Sequence, residues 1–304
     1  MTIVFALPPL VLVLVIDRPL QKHRPAKVLA RSATVRDEFS MAELNDFKSS
    51  VALVVSSCDA FFDAWRPFHA FWEMFWPDCP LDVFLLTNEL EVRSPRIRSL
   101  AVGADRGWSS NLLGALEKIA HPYVLYLQED YFFTAPVDSA QLARDFAEVI
   151  ESGAEALCFR ARSEPDSGFQ PLNDRFGIVP LDSDGRTRCQ VTLWKRSALQ
   201  SILRRDETAW NFEARGSART QEMQILSYRK RENTPLPYLM SAISRGLWMP
   251  DAIALCRAHE VQIDPFFRPI YSPRSWQRRL RRALGRVRLR RALRAQTGGV
   301  ITLP

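Results

Sequence analysis

The sequence predicts an α/β fold in which helices flank a mostly parallel sheet. Short apolar runs rich in β-forming residues predict buried strands at residues 51–55, 81–86, 97–102 and 123–127. Between them, apolar residues recur at helical spacing over residues 61–75 and 108–120. This alternation of strands and helices is typical of βαβ units and of a parallel sheet.

The second half of the chain continues the pattern with shorter elements. Residues 138–152 predict an amphipathic helix, and residues 156–159 predict another strand. Residues 163–174 are polar and contain Pro and Gly, which favours a loop. Residues 176–180 and 189–194 are predicted to pair as a hairpin around the turn-forming stretch 182–185, before a short helix at 197–205.

The composition is that of a globular protein with reduced thiols. The chain has 304 residues, of which 47% are hydrophobic and 25% charged, which suits one large α/β domain or two small ones. Its five cysteines are scattered without a C-x-x-C pair. This spacing indicates neither a zinc site nor a disulfide framework, and it favours a cytosolic protein.

The charge of the chain is concentrated in one segment. Residues 274–294 contain ten arginines and no acid, so subtracting their charge from the net +7 leaves −3. A uniformly basic surface that binds nucleic acid is therefore not expected. Apolar residues of this segment can share one side of a helix: Trp276, Leu280, Leu284, Val287 and Leu293.

Three regions follow from these patterns. Residues 1–47 predict a leader that is disordered or whose first 40 residues lie upstream of a true start at Met41, because the apolar run 3–16 is short for a membrane span and has no basic segment before it. A membrane anchor is the alternative for this run. Residues 48–270 form the α/β domain, and residues 271–304 form a basic amphipathic tail.

The strand at 123–127 ends in two adjacent acids, Glu129 and Asp130. Open α/β sheets bind ligands at the carboxyl ends of their strands. Paired carboxylates at such an edge suit Mg²⁺ or Mn²⁺ and, through the metal, a diphosphate. The alternative is a solvated strand end whose acids face water or cap the next helix.

The first strand ends in Ser56-Ser57-Cys58-Asp59, and a helix that carries Asn111 precedes the next central strand. That strand ends in Gln128-Glu129-Asp130, and another acid, Glu213, follows some eighty residues later. In this order and spacing, residues 50–270 resemble a bacterial GT-A-fold glycosyltransferase of the family-2-like kind. Such enzymes carry an Asp-x-Asp metal motif at the position of Gln128-Glu129-Asp130, and the carboxylate that activates the acceptor at the position of Glu213.

The resemblance implies a GT-A-like, Rossmann-like sheet and transfer of a sugar from a nucleotide-sugar donor to a saccharide or lipid-linked acceptor. The product would be a surface polysaccharide or glycolipid. It implies an inverting mechanism with Glu213 as the base, and Mn²⁺ or Mg²⁺ at Glu129 and Asp130. Because Gln128 replaces the first acid of the motif, neutralisation of the diphosphate by Arg or Lys is the alternative to a metal. The expected donor-binding residues are Asp59, Asn88, Glu89, Asn111, Arg215 and Arg219.

Other interpretations of these residues remain open. Glu213 is equally suited to cap a helix or to pair with Arg215 or Arg219, and these arginines are equally suited to a solvated surface. Trp210 and Phe212 are candidates for the wall of a sugar pocket or for the core. The alternative functions are a catalytically inactive, membrane-associated scaffold of this fold and a nucleotidyltransferase.

The arginine-rich tail predicts a peripheral position on the inner face of the plasma membrane. Each Arg near an anionic leaflet contributes roughly 1 kcal/mol, and Trp and Leu side chains add apolar burial. A lipid-linked acceptor would fit this location. A solvated basic tail and RNA binding are the alternatives.

Overall fold

A nine-stranded sheet forms the centre of the computed structural model of this protein, which describes residues 43–162, 168–295 and 299–304. The described residues contain these strands, of which β3, β11, β12 and β13 lie outside the central sheet: β1 (Val51–Ser56), β2 (Asp82–Thr87), β3 (Glu91–Arg93), β4 (Ile97–Ala101), β5 (Tyr123–Gln128), β6 (Ala156–Cys158), β7 (Gln170–Pro171), β8 (Phe176–Ile178), β9 (Thr192–Lys195), β10 (Ile225–Tyr228), β11 (Ile243–Ser244), β12 (Leu247–Trp248) and β13 (Val300–Thr302). The helices are α1 (Phe62–Phe75), α2 (Trp108–Leu116), α3 (Ser139–Ser152), α4 (Arg196–Ile202), α5 (Ala209–Arg215), α6 (Pro250–Ala258) and α7 (Ser275–Ala295). Residues 1–42, and 163–167 of the predicted loop, lie outside the described residues.

The strand order of the sheet is β4-β2-β1-β5-β9-β6-β10-β8-β7. Strand β1 pairs in parallel with β2 and β5, and β2 pairs in parallel with β4. Strand β9 is antiparallel to both of its neighbours, β5 and β6. The predicted α/β class, a mostly parallel sheet flanked by helices, is confirmed.

Two apolar layers cover the two faces of the sheet. Alternate residues of β1 enter different layers, with Leu53 packing among residues of α1, α3 and α6, and Val54 among residues of α2, α4 and α5. Because both faces of β1 are buried, this strand has no polar alternation. This arrangement explains why the central strands were recognisable as continuous apolar runs.

The predicted hairpin of residues 176–180 with 189–194 is wrong. Strand β8 pairs with β10 and β7, whereas β9 lies between β5 and β6. The segment between β8 and β9 is held by the buried Arg186, whose guanidinium donates to the carbonyl oxygens of Thr220 at 3.0 Å and Met223 at 2.6 Å. Each apolar run therefore lies beside a strand that is distant in sequence.

Helix ends are decided by both local and distant contacts. The predicted helix at 138–152 is confirmed, since Asp138 caps α3 through the Gln141 amide at 2.9 Å and Gly153 ends it with φ of 72°. Helix α2 ends earlier than predicted, at Leu116.

The N-terminal end of α2 is joined to the segment before α5. Gly107, with φ of 84°, precedes α2 as its capping residue. The hydroxyl of Ser109 accepts from the Glu207 amide at 2.8 Å, and that of Ser110 accepts from the Asp206 amide at 3.0 Å. These two bonds fix the position at which α5 begins beside the sheet.

Both ends of the described chain pack on the sheet domain. Leu44 is buried, and the Phe47 ring contacts Phe146 of α3 edge-on. At the other end, Leu289 and Leu293 of α7 pack against the core, and β13 pairs in parallel with β3. In the described part of the chain, no helix combines the length and the apolar character needed to cross a membrane.

Candidate functional site

A cavity of about 610 Å³ lies at the carboxyl ends of β1 and β5. Neighbouring strands of a parallel sheet deliver their ends to one edge, which is where open α/β sheets bind ligands. Its lining comes from the ends of these strands and from α2, α5 and the turn between β11 and β12. The polar and aromatic residues on it include Ser57, Asp105, Asn111, Gln128, Glu129, Asp130, Gln190, Trp210, Glu213 and Arg245.

Glu129 and Asp130 line this cavity directly after β5. They are only 5% and 6% exposed. One oxygen of Asp130, Oδ2, accepts hydrogen bonds from the Ile243 amide and the Ser241 hydroxyl, both at 3.1 Å. The Asp130 carboxylate is therefore fixed by the segment that leads into β11.

The electrostatics of this acidic pair favour a cation. Burial raises the pKa of Glu129 well above its usual range, and the neighbouring Asp130 raises it further. Burial also raises the pKa of Asp130 to about 6. The nearby cation, Arg268, lowers both pKa values, but its guanidinium is bound to Asp63 at 2.9 and 3.0 Å. The positive charge of Arg268 is thus already shared with a third carboxylate.

The two acids fit a divalent cation that is also bound by substrate. No group of three or more His, Cys, Asp or Glu side chains placed to hold a metal occurs in the described parts of the chain. Mg²⁺ requires fewer protein ligands than that, since it is usually held by one or two carboxylates together with substrate phosphates and water. Glu129 and Asp130 would supply these carboxylates.

Glu213 lines the same cavity from α5, whose start is capped by the Thr208 hydroxyl. Its Oε1 accepts from the Cys189 amide at 2.8 Å, and Oε2 makes no hydrogen bond within the described residues. The alternative ion pairs with Arg215 and Arg219 are not formed. Arg219 instead binds Glu207 through two contacts of 2.5 and 3.1 Å, and Arg215 is exposed at the end of α5.

Asp59, Asn88 and Glu89 come together at the ends of β1 and β2, but they do not line the cavity. The Asp59 carboxylate accepts from the backbone amides of Asn88 at 2.8 Å, Glu89 at 2.8 Å and Leu90 at 3.0 Å. The Asn88 side chain accepts from the Asp59 amide in return, at 3.1 Å. In this structure the Asp59 carboxylate joins two strand ends beside the site.

Asn111 lines the cavity and shapes its wall. Its Nδ2 donates to the Asp105 carboxylate at 2.7 Å, and its Oδ1 accepts from the Arg106 amide at 3.0 Å. Asp105 also accepts from the Gly107 amide at 2.9 Å. The loop before α2 is thereby folded over one side of the cavity.

Two aromatic candidates of α5 have different environments. Phe212 is buried against Trp108, with ring centroids 5.2 Å apart, so it belongs to the core. Trp210 is 76% exposed and lies on the cavity lining. An indole that borders a cavity and remains in water offers an apolar face to a ligand.

Arg245 is one of the site residues that the sequence did not predict, as are Asp105, Gln190 and Ser241. It forms, with Gly246, the two-residue turn between β11 and β12, and the two have φ of 50° and 76°. An Arg-Gly pair between the short apolar stretches Ile243 and Leu247–Trp248 was the available signal for this hairpin. The signal is weak because Asn-Gly or Asp-Gly is usual in such turns.

Comparisons with known proteins find similarity only among solved structures. No family model and no curated protein matches this chain. S. aureus TarS in complex with UDP-GlcNAc is 12% identical, with a TM-score of 0.38 over 62% of this chain and 57% of that chain. Glucosyl-3-phosphoglycerate synthase from Mycobacterium tuberculosis, in complex with Mn²⁺, UDP-glucose and phosphoglyceric acid, is 11% identical, with a TM-score of 0.33 over 59% and 65%.

A third match is CMP:2-keto-3-deoxy-manno-octonic acid synthetase complexed with CTP, which is 11% identical with a TM-score of 0.39. It covers 70% of this chain and 99% of that chain. The chain spans less than two thirds of the length of the TarS structures that it matches, for example 59% of one of them. At these identities and TM-scores the likeness assigns no substrate and no residue role to this chain.

Proposed function

We propose that this protein is a glycosyltransferase that moves a sugar from a nucleotide-sugar donor to a saccharide or lipid-linked acceptor. The observation that carries the proposal is the meeting of Glu129, Asp130 and Glu213 in one cavity at the carboxyl ends of the central strands. The cavity volume of about 610 Å³ suits a small-molecule ligand. Sugar transfer needs a site for a diphosphate and a separate base for a hydroxyl group.

The acidic pair would hold the diphosphate end of the donor through Mg²⁺ or Mn²⁺. When bound, such a cation would offset the charge that develops on the leaving nucleoside diphosphate. The chain contributes the placement, since Asp130 is held by Ile243 and Ser241 and Glu129 is confined beside it. Asn111 and Asp105 would border the donor on the α2 side of the cavity.

Glu213 is proposed to accept the proton of the acceptor hydroxyl. Its Oε1 is oriented by the Cys189 amide, while Oε2 remains for a ligand. Because the acidic pair and Glu213 come from different elements, donor and acceptor would meet between them. Direct displacement of the diphosphate by the activated hydroxyl would invert the configuration of the sugar.

Trp210 supports a saccharide as the acceptor. Its indole ring is largely exposed on the cavity lining, and the apolar face of a sugar ring packs well on such a surface. At an ordinary exposed position of α5, a polar side chain would be more favourable than an indole, because it exposes less apolar surface to water. The exposed ring therefore favours a ligand that covers it.

We further propose that α7 places the enzyme on the inner face of an anionic membrane. Trp276, Leu280, Leu284 and Val287 are exposed and recur every three or four residues along one side of α7. Leu293, predicted on the same side, instead packs on the core. Arginines flank the exposed stripe, and basic helices of this kind lie on anionic membranes.

Nucleotide titrations test the transferase function. UDP, GDP and CDP would be titrated with and without Mn²⁺ into the protein and into Asp130→Asn, which removes one charge and keeps an acceptor for the Ile243 amide. We expect one nucleotide to bind tightly only with the metal, and the Asp130→Asn variant to bind it at least about tenfold more weakly. Glu151→Gln, at an exposed acid near the end of α3, is the matched control.

Two outcomes of these titrations would contradict the proposal. If none of the three nucleotides binds, the donor site is rejected and the inactive scaffold becomes the better description. If binding is equally tight without metal and in Asp130→Asn, the acidic pair has no part in holding the diphosphate.

A further inference from the structure

The arginines of α7 fall into two groups with different surroundings. Arg278, Arg281 and Arg288 donate to backbone carbonyls of the preceding segment, those of Ser272, Ile270 and Phe266. These bonds hold the helix against residues 266–273. Arg279, Arg282 and Arg286 have no hydrogen-bond or ion-pair partner within the described residues.

The unpaired group shares one face of the helix, since its members are spaced by three and four residues. Together with Arg245 and Gly246, the three side chains line a cavity of about 310 Å³. Arg282 is partly buried, and its Nε makes no hydrogen bond within the described residues. No carboxylate is among the described residues that line this cavity.

Arg245 connects this arginine cavity to the candidate active site, because it lines both. Its backbone has φ of 50°, a left-handed conformation that costs an L-residue energy and that Gly or Asn adopts more readily. A long charged side chain at this turn is therefore not explained by the turn itself. Residues that keep an unfavourable backbone conformation tend to serve a function.

Four guanidinium groups around a small cavity attract an anion strongly. Each carries a full positive charge near neutral pH, and their planar donors match the oxygens of phosphate. A partly enclosed cavity with charge of one sign also concentrates the field at its mouth.

We propose that this cavity is a phosphate subsite for the acceptor, which would carry a phosphate monoester or diphosphate close to the sugar that reacts. The proposal rests on the transferase function above and names the chemical class of the acceptor. A phosphate held at Arg279, Arg282 and Arg286 would place the adjoining part of the acceptor past Arg245 and into the cavity that contains Glu213.

The position of the subsite separates it from the diphosphate of the donor. Glu129 and Asp130, the proposed donor acids, line the larger cavity and not the arginine cavity. Only Arg245 and Gly246 belong to both linings. The donor diphosphate and the acceptor phosphate would thus lie on opposite sides of the Arg245 turn.

The test measures binding of inorganic pyrophosphate to the full chain without divalent cations. We expect the triple variant Arg279→Gln/Arg282→Gln/Arg286→Gln to bind pyrophosphate at least about tenfold more weakly than the unmodified protein. The matched control, Arg274→Gln/Arg290→Gln/Arg291→Gln, removes the same charge from exposed positions outside these cavities and should bind normally. The double variant Arg279→Gln/Arg286→Gln changes only exposed residues and replaces the triple if that fails to fold.

Binding of UDP, GDP or CDP with Mn²⁺ is measured in the same proteins and should be unchanged in the triple variant. An equal loss of pyrophosphate binding in the control would overturn the subsite, since the effect would be one of overall charge. An equal loss of nucleotide binding in the triple variant would overturn the acceptor role and assign the arginines to the donor. Absence of nucleotide binding in every protein, with the pyrophosphate pattern intact, would reject the transferase and leave only an anion site.

Vesicles distinguish the two sources of the phosphate. If pyrophosphate displaces the protein from phosphatidylcholine vesicles that contain phosphatidic acid, but not from those that contain phosphatidylserine, the subsite accepts a lipid-borne phosphate. If it displaces the protein from neither, the phosphate belongs to a soluble acceptor.

Discussion

Two charged regions adjoin the candidate active site, and they are built in opposite ways. Glu129 and Asp130 are at most 6% exposed at the end of a central strand, and Asp130 is fixed by two hydrogen bonds. Arg245, Arg279 and Arg286 are exposed on a turn and a surface helix, without partners in the described chain.

The contrast indicates two different tasks. Burial fixes the position of the acids and makes their negative charge unfavourable without a counter-ion. A cation bound there would therefore interact strongly with both carboxylates. Exposure keeps the arginines hydrated and ready for an anion that arrives from solution or from a membrane surface. The first region is suited to chemistry, and the second is suited to capture of a substrate.

The largest expected effect comes from Glu213→Gln. This change removes the proposed base but keeps an oxygen for the Cys189 amide, so the rate of sugar transfer should fall by roughly 10²- to 10⁴-fold. The measurement is release of nucleoside diphosphate from the sugar nucleotide that the titration identifies. Nucleotide affinity and the urea unfolding midpoint should not change, and an unaltered rate would remove Glu213 from the mechanism.

Arginine substitutions compare a buried ion pair beside the acidic pair with the exposed arginines of α7. Arg268→Met would leave the buried Asp63 without its ion-pair partner, which should cost about 3–5 kcal/mol in the free energy of unfolding. Arg279→Met at the surface of α7 should change it by no more than about 0.5 kcal/mol. Urea unfolding of both variants measures the difference, and similar losses would contradict the contrast.

The exposed apolar stripe of α7 allows a test of the membrane proposal. Leu280→Ser with Leu284→Ser should weaken binding to anionic vesicles by roughly tenfold or more, since burying a Leu side chain contributes about 1.5–3 kcal/mol. Vesicle co-sedimentation measures the loss. The matched control, Leu172→Ser with Leu181→Ser, alters two exposed leucines far along the chain. Equal loss in both variants would argue against α7 as the contact.

A small gain in stability is expected from Arg245→Asn. Asn adopts the left-handed backbone more readily, so the free energy of unfolding should rise by about 0.5–1 kcal/mol. Pyrophosphate affinity should fall in the same variant, because one guanidinium leaves the arginine cavity. Thermal unfolding measures the expected rise in stability, and titration with pyrophosphate measures the expected fall in affinity. A variant that is less stable would show that the Arg245 side chain supports the fold.

Much of the fold was predictable because its signals are local. Strands β1 and β5, which contain the apolar runs, are each six consecutive residues long, and the two acids follow β5 directly. The capping of α3 by Asp138 and its end at Gly153 also depend only on neighbouring residues. Periodicity and capping act over such short separations, so a sequence reveals them directly.

Pairing between distant strands was not predictable in the same way. An apolar run can occupy any strand position whose two faces are buried. The sequence therefore did not reveal that β8 pairs with β10 and that β9 pairs with β5. The roles of single side chains were also not predictable, because they depend on contacts with residues distant in sequence. Asp59 was predicted to contact the nucleotide, and its carboxylate binds three backbone amides about 30 residues away in the chain.

The sequence by itself determined the class of the fold, the strand that ends in Glu129 and Asp130, and the concentration of arginine in one segment. Tertiary structure alone decided that Glu213 and Arg245 border the same cavity, and that Ser241 binds Asp130 across 111 residues of sequence. Propensities and periodicity depend on neighbours along the chain. A site depends on which distant segments the packing of the core brings together, and no local pattern encodes that.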